Sequence, residues 1–261
     1  KRTKKRAGKV TGSLVVGGGA RSPGIGGIGM SGIAEILRNL NYAVQGSDIA
    51  DGANVKRLRG LGIDISIGHR GENLGNAEVV VISSAVKPDN PEVVEARLRL
   101  IPVVPRAEML AEIMRLKWGI AVAGTHGKTT SSTFLAWVLE CAGRAPGWFI
   151  GGAPRDLPRP YALGEGSPFV LEGDEYDSAY FDKGPKFLHY APQGVVLTTV
   201  EFDHADIFAD LAAIEHQFHH LIRTIPSSGL IVAPSDDDNV SRVLAGGCWT
   251  PVATFGPDDS A

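Results

Sequence analysis

The segment Val122 to Thr130, VAGTHGKTT, constrains this chain more than any other. An apolar run of strand length, 119–124, enters it. A helical pattern leaves it, with Phe134, Leu135, Val138, Leu139 and Ala142 at helical spacing and Gly143 as a stop. A strand, a glycine turn and a helix in succession demand a sheet with parallel neighbours, because the helix must pack back across the sheet face. The rest of the chain meets that demand. Apolar runs at 13–16, 78–85, 168–173, 194–200 and 229–234 read as further strands, and amphipathic stretches at 33–40, 92–100, 107–116, 130–142 and 211–224 as helices. The fold class is α/β, doubly wound rather than a bundle or sandwich.

With 261 residues the length suits two domains at roughly 100–200 residues each. Prolines in IPVVP, 101–105, place the boundary near Arg106, dividing 1–106 from 107–261. The helix 107–116 carries Met109, Leu110, Ile113, Met114 and Leu116 near one face and reads as a packed connector. A net charge of -3 and a pI near 6.2 give no global basic field for nucleic acid. No apolar run reaches the length of a membrane span, and the basic start KRTKKR leads into glycine-rich sequence, so it reads as a solvated terminus. Cys141 and Cys248 lie far apart without a CxxC pair, which offers neither a disulfide framework nor a zinc site and suits a reducing cytoplasm.

Two glycine loops carry the chemistry. Gly24, Gly26 and Gly29 form G-x-G-x-x-G before a helical pattern, and Asp48 of QGSD follows about twenty residues on. Such a loop lets backbone approach a diphosphate at a helix N-terminus while the acid faces a ribose or base. A tight turn with no ligand is the alternative. GGGARSP, 17–23, separates this loop from the apparent strand 13–16, so either the loop is enlarged or that strand is misplaced.

The second loop departs from G-x-x-x-x-G-K-[ST] in one place: Val122 holds the first glycine position and the glycine moves to Gly124. Gly127, Lys128 and Thr129 keep the core chemistry. Backbone N–H groups can surround phosphates, Lys128 can reach their β- and γ-oxygens, and Thr129 can offer its hydroxyl to Mg²⁺. A metal-holding acid should end a neighbouring strand, and Glu172 in FVLEGDEYD is so placed. Asp174, Glu175 and Asp177 read as a solvated acidic turn. TVEFDHADIF sets Glu201, Asp203, His204 and Asp206 at the carboxyl end of a further strand, where ligands bind in open sheets. His204 there either joins Glu172 on a second metal or a substrate carboxylate, or caps the next helix. His216, His219 and His220 in EHQFHH read as an exposed helix face rather than a metal site.

GTHGKTT, EGDEYD and EFDHADIF resemble the ATP-binding domain of the Mur ligases, and GIGGIGMSG with GSD resembles that family's N-terminal UDP-sugar domain. The resemblance runs from about Gly24 onward. GIGGIGMSGIAEIL, SSAVKPDNPEVVEAR and RAEMLAEIM are similar to the branch that adds L-alanine to UDP-N-acetylmuramate. From FVLEGDEYDSAYFDKGPKFLHY on, the chain is similar to the branch that adds a recycled tripeptide. The resemblance implies a Rossmann-like domain followed by a phosphate-loop ATP domain. It also implies a cytoplasmic, ATP- and Mg²⁺-dependent amide-forming ligase of peptidoglycan synthesis or recycling, with UDP-N-acetylmuramate and an amino acid or peptide as partners and neither nucleic acid nor membrane. Carried onto this sequence, Gly26, Gly27 and Gly29 hold the UDP diphosphate, with Asp48 on the uridine side, Gly24 and Ser31 also binding the substrate, and His69, Ser83 and Ser84 lining the crevice. Gly124, Thr125, His126, Gly127, Lys128, Thr129 and Thr130 hold ATP; Thr129, Glu172 and His204 hold metal; Lys128, Glu172 and His204 are the catalytic set. Family members continue into a third, acceptor-binding domain, so the expectation for the residues up to Ala261 is both nucleotide sites without the acceptor site. A nicotinamide-dependent dehydrogenase would explain the first loop but not GTHGKTT or Glu172. A nucleotide-binding fragment without turnover is the non-enzyme alternative.

Overall fold

The computed structural model describes residues 24–152, 154–155, 157–173, 177–179, 182–185, 187–203 and 208–257, with the backbone alone for 177–179 and 182–185. The strand expected at 13–16, the basic start, Asp174, Glu175, His204 and Asp206 lie outside the described residues. The chain divides into two compact units between Met109 and Leu110.

The first unit runs α1 (Ile28–Asn39), β1 (Gln45–Asp48), α2 (Ala53–Gly60), β2 (Asp64–Ile67), a single 3₁₀ turn (Gly71–Leu74), β3 (Val80–Ile82), α3 (Pro91–Leu98) and β4 (Val103–Pro105). β1 pairs parallel to β2, and β3 parallel to β4 with Ile82 opposite Pro105. Leu74, Val80, Ile82, Val93 and Ala96 form one core cluster, and α1 adds Met30, Ile33, Ala34 and Ile36. At the head of α3, Pro91 occupies the first turn and the Asn90 side chain accepts from Glu92 N, a proline start with a side-chain cap.

Three sequence expectations change here. The first helix begins at Ile28 rather than at residue 33, because Gly29 and Gly32 mask its start. IPVVP is not a turn but contains β4: its ladder needs little beyond Val103 and Val104, and proline stands only at the strand's end. β1, α2 and β2 escaped notice because QGSD lacks strand formers and α2 buries only Val55 and Leu58.

α4 (Arg106–Arg115) crosses the division between the units. Then follow β5 (Trp118–Ala123), α5 (Lys128–Cys141), β6 (Gly147–Phe149), β7 (Tyr161–Ala162), β8 (Pro168–Gly173), β9 (Asp177–Ala179), β10 (Asp182–Pro185), α6 (Phe187–Tyr190) and β11 (Gly194–Leu197). The unit ends with α7 (Leu211–Thr224), β12 (Leu230–Pro234), α8 (Asp238–Ala245) and β13 (Val252–Phe255). Seven strands form one sheet in the order β13-β12-β11-β5-β8-β6-β7. Every pairing in it is parallel except β6 with β7.

β5 lies at the centre with Ile120 to Ala123 buried, the continuous apolar run of a strand covered on both faces. One core cluster joins Ile120, Val122, Ala136, Trp148 and Val170. Elsewhere in the unit Phe187 meets Phe218 of α7, with ring centroids 5.5 Å apart. The apolar face expected for α5 is met in part: Leu135 and Leu139 pack, partly buried, against the core beside the buried Ser132 and Ala136, while Phe134 is 64% and Val138 39% exposed. The small side chains of Ser132 and Ala136 let this helix lie close to the sheet, and Phe134, Trp137 and Val138 turn outward. Leu116 likewise leaves the expected connector face and is exposed, whereas Leu110, Ile113 and Met114 are buried.

Candidate functional site

The loop between β5 and α5 turns on two glycines at positive φ, Gly124 at 149° and Gly127 at 80°. A Cβ at Gly124 would collide with Thr198 Oγ1 and stand 2.9 Å from the Thr199 carbonyl oxygen. That crowding arises because the chain leaving β11 braces the loop. Thr198 N donates to Ala123 O and Thr125 N to Thr199 O, both at 2.9 Å. Thr198 Oγ1 donates to His126 O at 2.6 Å, and Glu201 N to Thr125 Oγ1 at 3.0 Å.

Inside the curve, Lys128 Nζ donates to Gly124 O at 2.7 Å and Thr125 O at 3.3 Å. α5 starts with no side-chain cap and no acid in its first turn. Its first N–H groups therefore present positive potential at the loop, the arrangement that binds anions.

The parallel register of β5 and β8 sets Glu172 opposite Val122. Thr129 Oγ1 donates to one carboxylate oxygen of Glu172, and the other accepts from Gly151 N. A hydroxyl and a carboxylate in contact beside this glycine turn form a hard-oxygen set. No larger group of His, Cys, Asp or Glu with metal-binding geometry occurs among the described residues. Mg²⁺ suits so sparse a set, since it keeps several waters and takes remaining ligands from phosphates; Thr129 and Glu172 are the residues that could hold it.

Around this centre, His126 lies 3.6 Å from Glu201 Oε2 and 3.5 Å from Asp203 Oδ2, with His126 and Glu201 exposed and Asp203 half-buried. A cavity of about 550 Å³ opens beside the first turns of α5, lined by Thr129, Thr130, Thr133, Phe134, Trp137 and Arg155. On α7, His216 and His220 meet through their Nε2 atoms at 2.9 Å. Burial, and then the neighbouring His216, push the His220 pKa below its usual 6.5.

In the first unit, Asp48 is only 5% exposed. Its Oδ2 accepts from Gly26 N at 2.9 Å and its Oδ1 from Ala50 N at 3.1 Å, so the carboxylate shapes the glycine loop. Gly27 N closes onto Gly24 O at 3.0 Å. Ser31 is buried, and its hydroxyl donates to Ile28 O within its own helix. His69 Nδ1 lies 2.9 Å from Ser47 Oγ and 3.6 Å from Glu92 Oε2. Those contacts put it in a polar network with the buried Glu92, beside β1. Ser83 stands at the carboxyl end of β3, 7% exposed, with no partner for its Oγ among the described residues; Ser84 beside it is exposed.

The Mur ligase middle-domain model matches residues 122–261, and the Mur ligase family catalytic-domain model matches residues 22–118. The chain belongs to the Mur ligase family. Among relatives, the UDP-N-acetylmuramate–L-alanine ligase of Geobacter sp. strain M21 is 51% identical over 221 residues, 85% of this chain and 46% of that protein. The chain thus spans about half the length of the curated relatives it matches. Among solved structures, the UDP-N-acetylmuramate:L-alanyl-γ-D-glutamyl-meso-diaminopimelate ligase from Neisseria meningitides is 42% identical. It superposes with a TM-score of 0.81, covering 95% of this chain and 78% of that one. UDP-N-acetylmuramate-alanine ligase from Thermotoga maritima gives a TM-score of 0.73 at 29% identity, over 95% of this chain and 53% of that one. Both branches of the resemblance are therefore represented among the relatives.

In this Mur ligase chain, the expected loop residues Gly124 to Thr130 and Glu172 come together. Gly24, Gly26, Gly27 and Asp48 do so in the first unit. The described contacts of His69 and Ser31 lead elsewhere. Sequence reasoning missed Thr198 and Thr199, whose only signal was a TT pair closing an apolar run. It missed Gly151 and Gly152 as well, which approach Glu172 and Thr129 so closely that a Cβ at Gly152 would stand 2.6 Å from Thr129 Cγ2.

Proposed function

We propose that this chain carries the two nucleotide sites of an ATP-dependent amide-forming ligase acting in the cytoplasm on UDP-N-acetylmuramate. Residues 1–106 hold the sugar nucleotide and 107–261 the ATP. The observation that supports this most directly is the braced loop itself, where Lys128 and the Thr129–Glu172 pair converge on the N-terminus of α5. The acceptor is L-alanine or the recycled tripeptide, following the names of the two kinds of relative.

In the proposed reaction the lactyl carboxylate of the donor attacks the γ-phosphorus of ATP and ADP leaves, giving an acyl phosphate. The acceptor amine then attacks the acyl carbon, loses its proton and displaces inorganic phosphate. Negative charge on the transferring group is the main barrier, so fixed positive groups should supply most of the acceleration. Lys128 and the N–H groups of Gly127 to Thr130 hold the phosphates. Thr129 and Glu172 would hold Mg²⁺, which contributes charge neutralisation when bound. Glu172 is itself oriented by Gly151 N. Thr198 and Thr199 keep the loop's shape, and His204 is proposed on the metal or the donor carboxylate.

The test is a hydroxylamine trap. The chain is incubated with ATP, Mg²⁺ and UDP-N-acetylmuramate, and the acyl hydroxamate is measured for the parent and Lys128→Ala. Hydroxamate from the parent alone, with UDP-N-acetylmuramate binding within a few-fold in both, is expected. Loss of sugar-nucleotide binding with the lysine would refute two separate sites. Binding without hydroxamate in the parent would favour a nucleotide-binding unit without turnover.

A further inference from the structure

We propose that Arg106 is the cation that recognises the diphosphate of the nucleotide sugar at the first glycine loop, an assignment that rests on the nucleotide-sugar reading above. Arg106 follows β4 directly and begins α4, yet its guanidinium reaches back to α1. A Cβ added to Gly29 would stand 2.6 Å from Arg106 Nη1 and 3.4 Å from its Cζ. The guanidinium therefore lies over the first turn of that helix, in space that a glycine leaves open.

This is the wrong end of a helix for a cation. The N-terminus carries the positive end of the macrodipole, where anions are stabilised and cations are not. α1 supplies no compensation of its own: its N-cap is Gly27, with no side-chain cap, and its first turn holds no acid. No acidic side chain or hydrogen-bond acceptor pairs with Arg106 among the described residues. Two sources of positive potential thus meet with no acid paired to Arg106 among the described residues, the Asp48 carboxylate being committed to Gly26 N and Ala50 N, an arrangement that an anionic ligand would stabilise.

A second, independent observation lies at the same sheet edge. Ser83 Oγ is buried, at 7% exposure for the residue, and has no hydrogen-bond partner among the described residues. Ser83 is one residue past Ile82, Arg106 one residue past Pro105, and Ile82 and Pro105 are register partners. The two residues therefore follow directly on paired positions at the carboxyl ends of neighbouring strands, whose spacing is about 4.8 Å. A single carboxylate could take the guanidinium fork but would leave the helix N–H groups and Ser83 without acceptors. A diphosphate has oxygens enough for all three, and a planar fork suits phosphate oxygens better than an ammonium does.

The experiment is calorimetric binding of UDP, UDP-N-acetylmuramate and uridine to the parent chain, Arg106→Ala and Arg106→Lys. Arg106→Ala should weaken both diphosphate ligands by about tenfold to a hundredfold, the range for a charge-assisted contact. Uridine affinity should be unchanged, and Arg106→Lys should fall between. A parent that binds no UDP defeats the nucleotide-sugar reading itself. A parent that binds UDP, with Arg106→Ala binding it equally well or losing uridine in the same proportion, overturns the role of Arg106 and leaves that reading intact. Should Arg106→Ala fail to fold, Arg106→Lys and Ser83→Ala carry the test, since Ser83→Ala removes an unsatisfied hydroxyl and should be tolerated without ligand. Undiminished UDP affinity in both would overturn the proposal.

Discussion

Gly124→Ala offers the sharpest check on how the phosphate loop is held. Gly124 sits at φ 149°, and the added methyl would meet Thr198 Oγ1, Thr199 O at 2.9 Å and Thr199 N at 3.0 Å. The threonine hydroxyl can rotate away, but the Thr199 backbone cannot, because Thr125 N is bonded to its carbonyl. Strain at a sparsely populated backbone conformation costs about 1–3 kcal/mol, and overpacking about 1–3 kcal/mol more. At about 2–4 °C per kcal/mol for a unit of this size, melting should fall by about 5–20 °C. Gly143→Ala is the control, since Gly143 also has positive φ, 67°, but nothing lies within 4 Å of its Cβ position. It bears only the left-handed penalty of about 1–2 kcal/mol. Differential scanning calorimetry of the two variants isolates the steric contribution, and titration with a non-hydrolysable ATP analogue reads the loop directly. A Gly124→Ala protein that melts no lower than Gly143→Ala and binds the analogue normally would refute the bracing by Thr198 and Thr199.

Glu172→Gln should raise the Mg²⁺ concentration needed for ATP-analogue binding about tenfold, the effect of losing roughly 1.4 kcal/mol at a metal ligand; equal Mg²⁺ dependence in mutant and parent would move the role to Asp174 or Glu175. Asp48→Asn replaces an acceptor of Gly26 N with a group that can accept through one oxygen only. Amide exchange at Gly26 or Ala50 should therefore quicken, with a stability loss of about 1–3 kcal/mol, and unchanged exchange at both would show that the carboxylate does not hold the loop. Burial and His216 depress the His220 pKa below 6.5. The unfolded chain therefore binds the proton more readily, and stability contributed by neutral His220 is complete above about pH 6.5 and lost as pH falls toward the depressed value. Melting temperatures across that interval should vary less in His220→Asn than in the parent, and identical slopes would remove His220 as a source of pH dependence.

Much of the second unit could be read from the sequence because its signals are local. Pro168 to Gly173 and Leu211 to Thr224 coincide with β8 and α7, and GTHGKTT announces a strand, a turn and a helix whose backbone requires glycine at Gly127. Apolar runs and helical periodicity are properties of neighbouring residues, so they survive without tertiary information. Where periodicity was weak, as in QGSD and the α2 segment, the elements were missed. On α5 the sequence placed Leu135 and Leu139 against the core but also Phe134 and Val138, which are exposed, since which side of a helix meets a sheet depends on how closely the two can approach.

The candidate site shows the same division. That Lys128, Thr129 and Glu172 are the candidates for the proposed chemistry follows from residue type and spacing. That Thr129 touches Glu172 across 43 residues, that Thr198 supports His126 across 72, and that Arg106 lies on Gly29 do not. The order of strands in a sheet and their register decide which ends stand side by side, and neither is written in local periodicity. The sequence determined which residues could bind phosphate; strand order, register and close backbone approach decided which of them meet.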